Sequence, residues 1–234
     1  MSLTFEEAVN QVCAPGGLFE IIEAEVRGIP TKVFAGTPPN MRFLYQMAAQ
    51  RQDEFVIYED ERWTMPEILE LSGQIGSSLD KKFGIQKGDR VAIAMRNYPE
   101  WIAAFSAITS IGAVAVPLNA WWEPDELGFA LNDSGAKLVF ADQERIQKIL
   151  EANVDVTSLH IVSVRSQPPM EDGSIPLETA IETDAQMPEV EIGPDDNATI
   201  LYTSGTTGTP KGAVSSHRAI LSALLGFSAR AQVS

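Results

Sequence analysis

The chain has one cysteine, Cys13, in 234 residues, so no disulfide can close within it and cysteine-rich zinc frameworks are excluded. That usage fits a reducing compartment, and a cytoplasmic location is expected. Histidine is nearly as scarce, and His160 and His217 show no metal-ligand spacing. Basic residues are the next shortage. Seventeen Lys and Arg stand against 32 Asp and Glu, a formal charge of −15, which argues against nucleic acid and anionic lipid because both are held by clustered cations. Long apolar runs are missing too. The uncharged stretch 101–118 is broken by Ser106, Thr109, Ser110, Gly112 and Pro117, and reads as a helix, a glycine stop and a short buried strand, not a transmembrane segment. Residues 1–17 hold Glu6 and Glu7 and no basic residue, unlike a secretory signal.

What is present suffices for a sizeable core, since 44% of the residues are hydrophobic. Residues 1–39 carry no strong period and read as an amino-terminal arm. A helix is predicted over 40–52. Phe55 to Tyr58 and Arg62 to Thr64 flank an acidic turn, as in a hairpin. Thr64 and Glu67 form a capping box for a helix with Ile68, Leu69, Leu71, Ile75 and Leu79 on one side, closed by Gly84. Strands at 90–95, 113–116, 137–141 and 159–164 then alternate with helices at 99–111, 124–131 and 143–152. That alternation predicts an α/β fold, layered around a largely parallel sheet, over residues 40–165. Residues 166–197 hold nine acidic residues and no basic one, and read as a solvated, partly mobile linker. Arg90 is expected to make an ion pair where its strand begins, and the Trp121–Trp122 pair to pack at a turn.

The segment 198–234 reads as a strand, a loop and a helix from about Ser216. The loop runs Tyr202-Thr203-Ser204-Gly205-Thr206-Thr207-Gly208-Thr209-Pro210-Lys211-Gly212 and suits a polyphosphate. Glycines permit positive φ and let backbone N–H groups approach an anion, hydroxyls donate to phosphate oxygens, and Lys211 adds a full charge. A hydrogen bond to a charged group contributes about 1.5–3 kcal/mol, so four or five could hold a triphosphate. A helix start nearby would add to this. The loop is not a Walker A motif, because Pro210 precedes Lys211 and Gly212 follows it.

Tyr202 to Gly212 resembles the signature loop of the adenylate-forming (AMP-binding) superfamily, which includes acyl-CoA synthetases. Upstream, Lys87 to Ala92, Asn97 and Glu100, Gly112 to Asn119, and Asp133 to Lys137 resemble the amino-terminal part of an acyl-CoA synthetase in order and spacing. The resemblance implies that a carboxylic acid, of the fatty-acid type, is activated by ATP with Mg2+ to an acyl-adenylate and then passed to coenzyme A. It implies phosphate contacts from Thr203, Ser204, Thr206, Thr207 and Lys211, with Gly205 and Gly208 letting the backbone wrap. His217 occupies a position where many synthetases carry a histidine, and reads as structural at the helix start. The family's adenine- and ribose-holding segments, its hinge and its catalytic lysine are not found here. The chain is therefore expected to be the incomplete amino-terminal portion of the large domain, inactive alone and with no catalytic residue of its own. A carrier-protein thiol as acceptor, or a non-catalytic nucleotide- or partner-binding module, are the alternatives.

Overall fold

A computed structural model of the chain describes residues 4–152, 154–155, 157–166, 172–203 and 210–233. The amino-terminal part, expected as an arm, is ordered structure: helix α1 (Phe5–Val12) precedes a hairpin of β1 (Ile21–Val26) and β2 (Ile29–Phe34). Its turn is Arg27-Gly28, both with positive φ, which suits the right-handed twist of a tight hairpin. Helix α2 (Met41–Ala48) starts where Asn40 Oδ1 accepts from the Phe43 N–H at 3.0 Å. The second hairpin, β3 (Glu54–Tyr58) and β4 (Glu61–Thr64), leads directly into α3 (Met65–Lys81). There the Glu67 carboxylate accepts from the Thr64 N–H at 2.7 Å, completing the expected capping box.

The alternating units follow: β5 (Arg90–Ala94), α4 (Pro99–Ser110), β6 (Val114–Pro117), α5 (Pro124–Ser134), β7 (Leu138–Ala141), α6 (Gln143–Glu151) and β8 (His160–Ser163). The stretch considered above as a membrane span is α4, a left-handed Gly112 and β6, and among the described residues no helix is long and apolar enough to cross a membrane. After β8 come β9 (Ile175–Pro176) and α7 (Leu177–Ala180), then β10 (Asn197–Thr203), β11 (Lys211–Ser216) and α8 (His217–Val233).

Seven strands form one sheet in the order β11-β10-β6-β5-β7-β8-β9, parallel throughout except for the antiparallel pair β10–β11. Its central strands are small and apolar because both faces are covered. Val91 and Ile93 point to a core built with Ile68, Ile75 and Leu79 of α3 and Ala103, Ala107 and Ile108 of α4. Ala92 and Ala94 point the other way, to Leu127 and Leu131 of α5 and Ile146 and Ile149 of α6.

The acidic stretch 166–197, expected as a solvated linker, is docked over part of its length. Met187 lies against Gly76 of α3, where a side chain would collide. Arg42, Lys82 and Lys87 donate to the carbonyls of Pro188, Thr179 and Glu191 at 2.6, 2.8 and 2.9 Å. Its missing cations are thus supplied by the body of the fold.

Candidate functional site

In an open parallel sheet, ligands collect outside the carboxyl ends of the strands, where the connections diverge. Here β5 connects through α4 to β6 on one side, and β6 connects through α5 to β7 on the other. The carboxyl ends of β5, β6, β7 and β10 therefore share one edge. At that edge Asp142, buried after β7, accepts from the Arg96 N–H at 3.1 Å and from the Arg145 N–H at 3.2 Å. The Arg145 guanidinium is also buried and donates twice to the Ala120 carbonyl, at 2.8 and 2.6 Å. Three connecting loops are thereby tied together. This cluster was not foreseen, although Asp142 three residues before Arg145 is an N-cap signal.

Trp122 packs against Tyr202 as expected of a turn aromatic, while Trp121 is 74% exposed with Arg96 over its ring. Arg90 departs from the expected ion pair. Its guanidinium donates to the Ser134, Gly135 and Gly88 carbonyls, and the ion pair beside it is Lys137 with Asp89 at 2.7 Å.

Of the candidate phosphate contacts, Thr203 and Lys211 are described, and they pair directly across β10 and β11. Both are exposed. Ser204, Gly205, Thr206, Thr207 and Gly208 lie outside the described residues. The loop therefore joins two strands of a hairpin, and a strand not foreseen separates it from α8. Helix α8 begins at His217, as expected from about Ser216, but β11 carries the chain on for six residues before it, roughly 20 Å at strand rise, so the helix start lies away from the loop. Gly212 needs its small size more than positive φ. A Cβ there would come within 2.8 Å of Ile200 Cγ2 and 3.3 Å of Tyr202 Cζ.

Tyr202 holds the near end of the hairpin. Its hydroxyl donates to Asp133 Oδ2 at 2.6 Å, and burial together with that carboxylate pushes its pKa upward. His217 holds the far end. It is fully buried, its Nδ1 accepts from the Met41 N–H at 3.2 Å, and its Nε2 has no hydrogen-bond partner among the described residues. Desolvation lowers its pKa to about 4, with Lys87 adding to the effect and Asp196 opposing it, so the ring is neutral and cannot serve as a phosphate cation. Among the described residues no group of three His, Cys, Asp or Glu could hold a metal ion.

Comparison with known proteins gives a consistent result. The family model described as "AMP-binding enzyme" matches residues 43–233. The long-chain-fatty-acid–CoA ligase FadD13 of Mycobacterium tuberculosis is 37% identical over 166 residues, 70% of this chain and 31% of that one. The 4-coumarate–CoA ligase 3 of Arabidopsis thaliana is 32% identical over 146 residues, 61% of this chain and 25% of that one. The chain thus spans between a quarter and a third of these relatives' length. Among solved structures, the N-terminal domain of FACL13 from Mycobacterium tuberculosis aligns with a TM-score of 0.63 at 31% identity, covering 77% of this chain and 44% of that one. With a doubly covered parallel sheet and a hairpin carrying Thr203 and Lys211 at its ligand edge, the chain belongs to the AMP-binding enzyme family and has the fold of the amino-terminal portion of adenylate-forming enzymes.

Proposed function

We propose that the chain supplies the triphosphate grip of an acid–CoA ligase acting on a carboxylic acid of the fatty-acid type. In that reaction a carboxylate oxygen attacks the α-phosphorus of ATP. The bond from the α-phosphorus to the bridging oxygen breaks, and pyrophosphate leaves with that oxygen. The thiolate of coenzyme A then attacks the acyl carbonyl of the adenylate and expels AMP. The hydroxyls of Thr203, Ser204, Thr206 and Thr207 and the ammonium of Lys211 would stabilise the charge that accumulates on the departing phosphates. Backbone N–H groups around Gly205 and Gly208 would add donors, which is electrostatic work and not proton transfer. Mg2+ would travel with ATP and lower the charge on its phosphates; the described residues contribute no ligand set for it.

One observation carries the reading: Thr203 and Lys211 face each other at the base of the hydroxyl- and glycine-rich loop, at the ligand edge of the parallel sheet. The 37% identity to a fatty-acid ligase is in keeping with that acid class, and ligases of coumarate, succinylbenzoate and hydroxybenzoate match at 32, 34 and 33%. The grip alone does not complete the reaction, so the chain is expected to bind Mg-ATP and to show no acid-dependent exchange of pyrophosphate into ATP. Calorimetric titration of Mg-ATP into wild type and Lys211→Ala tests this. Loss of one charge-assisted contact predicts binding weaker by about tenfold or more. Equal affinity in the two proteins, or clear acid-dependent exchange by the chain, contradicts the reading.

A further inference from the structure

We infer that Tyr202 and Asp133 form a latch that aims the loop hairpin, with Tyr202 a positioning residue that acts through Thr203 and Lys211; this rests on the phosphate-grip reading above. Side chains alternate along a strand, and directly paired residues of an antiparallel ladder share a face. The pair Tyr202–Gly212 therefore faces α5, while the adjoining pair Thr203–Lys211 faces the opposite side. Fixing the first pair fixes the direction in which the second points.

The α5 face is held at several points. The Tyr202 ring meets Trp122 and Phe129 edge-on, with centroids 6.2 and 6.4 Å away. It also covers Gly212, so both strands are gripped at the mouth of the loop. The hydroxyl donates to Asp133 Oδ2 at 2.6 Å and lies 3.4 Å from the Ala130 carbonyl. Asp133 is the second-last residue of α5, Pro124–Ser134. A carboxylate there opposes the helix macrodipole, which favours cations in the last turn. Helix stability does not explain that choice of residue; a short, charge-assisted bond to the hairpin does.

The latch pre-organises the grip, so its loss is expected to weaken phosphate binding without removing any phosphate contact. The test uses Mg-ATP and inorganic pyrophosphate titrated into the chain, together with amide hydrogen exchange over residues 197–216. Tyr202→Phe and Asp133→Ala are each expected to weaken binding by up to about tenfold, less than the loss of a direct charge-assisted phosphate contact, because they disturb only the aim of the grip. Both are expected to quicken exchange around 202–203 and 211–212 only. Asp133→Asn keeps an oxygen acceptor but loses the charge and is expected to fall between wild type and Asp133→Ala, and the double variant Tyr202→Phe/Asp133→Ala to be no weaker than either single one. Lys211→Ala separates the two readings. If it binds like wild type, or wild type does not bind, the phosphate grip fails and the latch with it. If Lys211→Ala weakens binding while Tyr202→Phe changes neither affinity nor exchange, the latch alone is overturned. Exchange that quickens throughout the chain in Tyr202→Phe overturns it too, because that is a general packing role.

Discussion

Gly212 shows how far one residue can be understood from its neighbours in the chain. Beside Lys211 in a loop of hydroxyls and glycines, it reads as backbone freedom. In the fold it is an extended strand residue kept small by Ile200 and Tyr202 across the ladder, contacts that no local pattern encodes. Gly212→Ala is accordingly expected to destabilise the chain by about 1–3 kcal/mol, as overpacking does, and to displace the Tyr202 ring. The midpoint of urea unfolding would report the first effect, and the near-ultraviolet circular dichroism of Trp122 and Tyr202 the second. An unchanged midpoint would mean that the ring yields freely.

At the level of elements, the repeating strand–helix units were legible because each carries its own signals. Thr64 with Glu67 starts α3, and the left-handed Gly135 ends α5. The elements that escaped lack such signals. Strand β11, Lys-Gly-Ala-Val-Ser-Ser, has one good strand former and exists because β10 pairs with it. The hairpin β1–β2 turns on Arg27-Gly28, where the usual Asn or Asp is missing. Long-range clasps were equally invisible. Arg165 has φ +55 and pairs with Glu61 at 2.7 Å and Glu100 at 2.8 Å. Its guanidinium lies 5.0 and 5.1 Å from the ring centres of Tyr58 and Tyr98. It fastens the β3–β4 hairpin to α4 and to the chain beyond β8. Arg165→Met keeps the stem but strands two carboxylates. A loss of about 1–2 kcal/mol is expected, reduced from a buried pair's value because Glu61 is partly solvated. Amide exchange should rise first in residues 54–64. Protection that falls evenly across the chain would place the clasp elsewhere.

For the molecule as a whole, charge and burial set opposite demands on pH. With a net charge of −15 near neutrality, mild acid relieves repulsion among carboxylates, and on that ground alone stability would rise as pH falls. His217 acts against this. Its folded pKa is lowered to about 4 by desolvation, whereas an unfolded histidine titrates near 6.5. Above the unfolded value the ring is neutral in both states and contributes no slope. Between about 6.5 and 4 the unfolded chain takes up a proton that the folded chain refuses, so stability falls with pH, by about 3 kcal/mol in all. The paired carboxylates then add to the loss at lower pH. Asp195 is held below the usual range by Arg218, and Asp196, against its partial desolvation, by Lys87 and the Gly193 N–H. Both contributions vanish as those groups protonate. Salt screens the repulsion among dispersed, solvated charges, so at physiological ionic strength the buried imidazole is expected to set the trend. Urea unfolding followed from pH 8 to pH 4 is therefore expected to be flat down to about 6.5 and then to decline. In His217→Gln, already weakened at neutral pH by loss of the ring, that decline should begin only where the carboxylates titrate. If the variant follows the wild-type slope between pH 6.5 and 4.5, the buried imidazole joining α8 to α2 is not the group that makes this fold sensitive to acid.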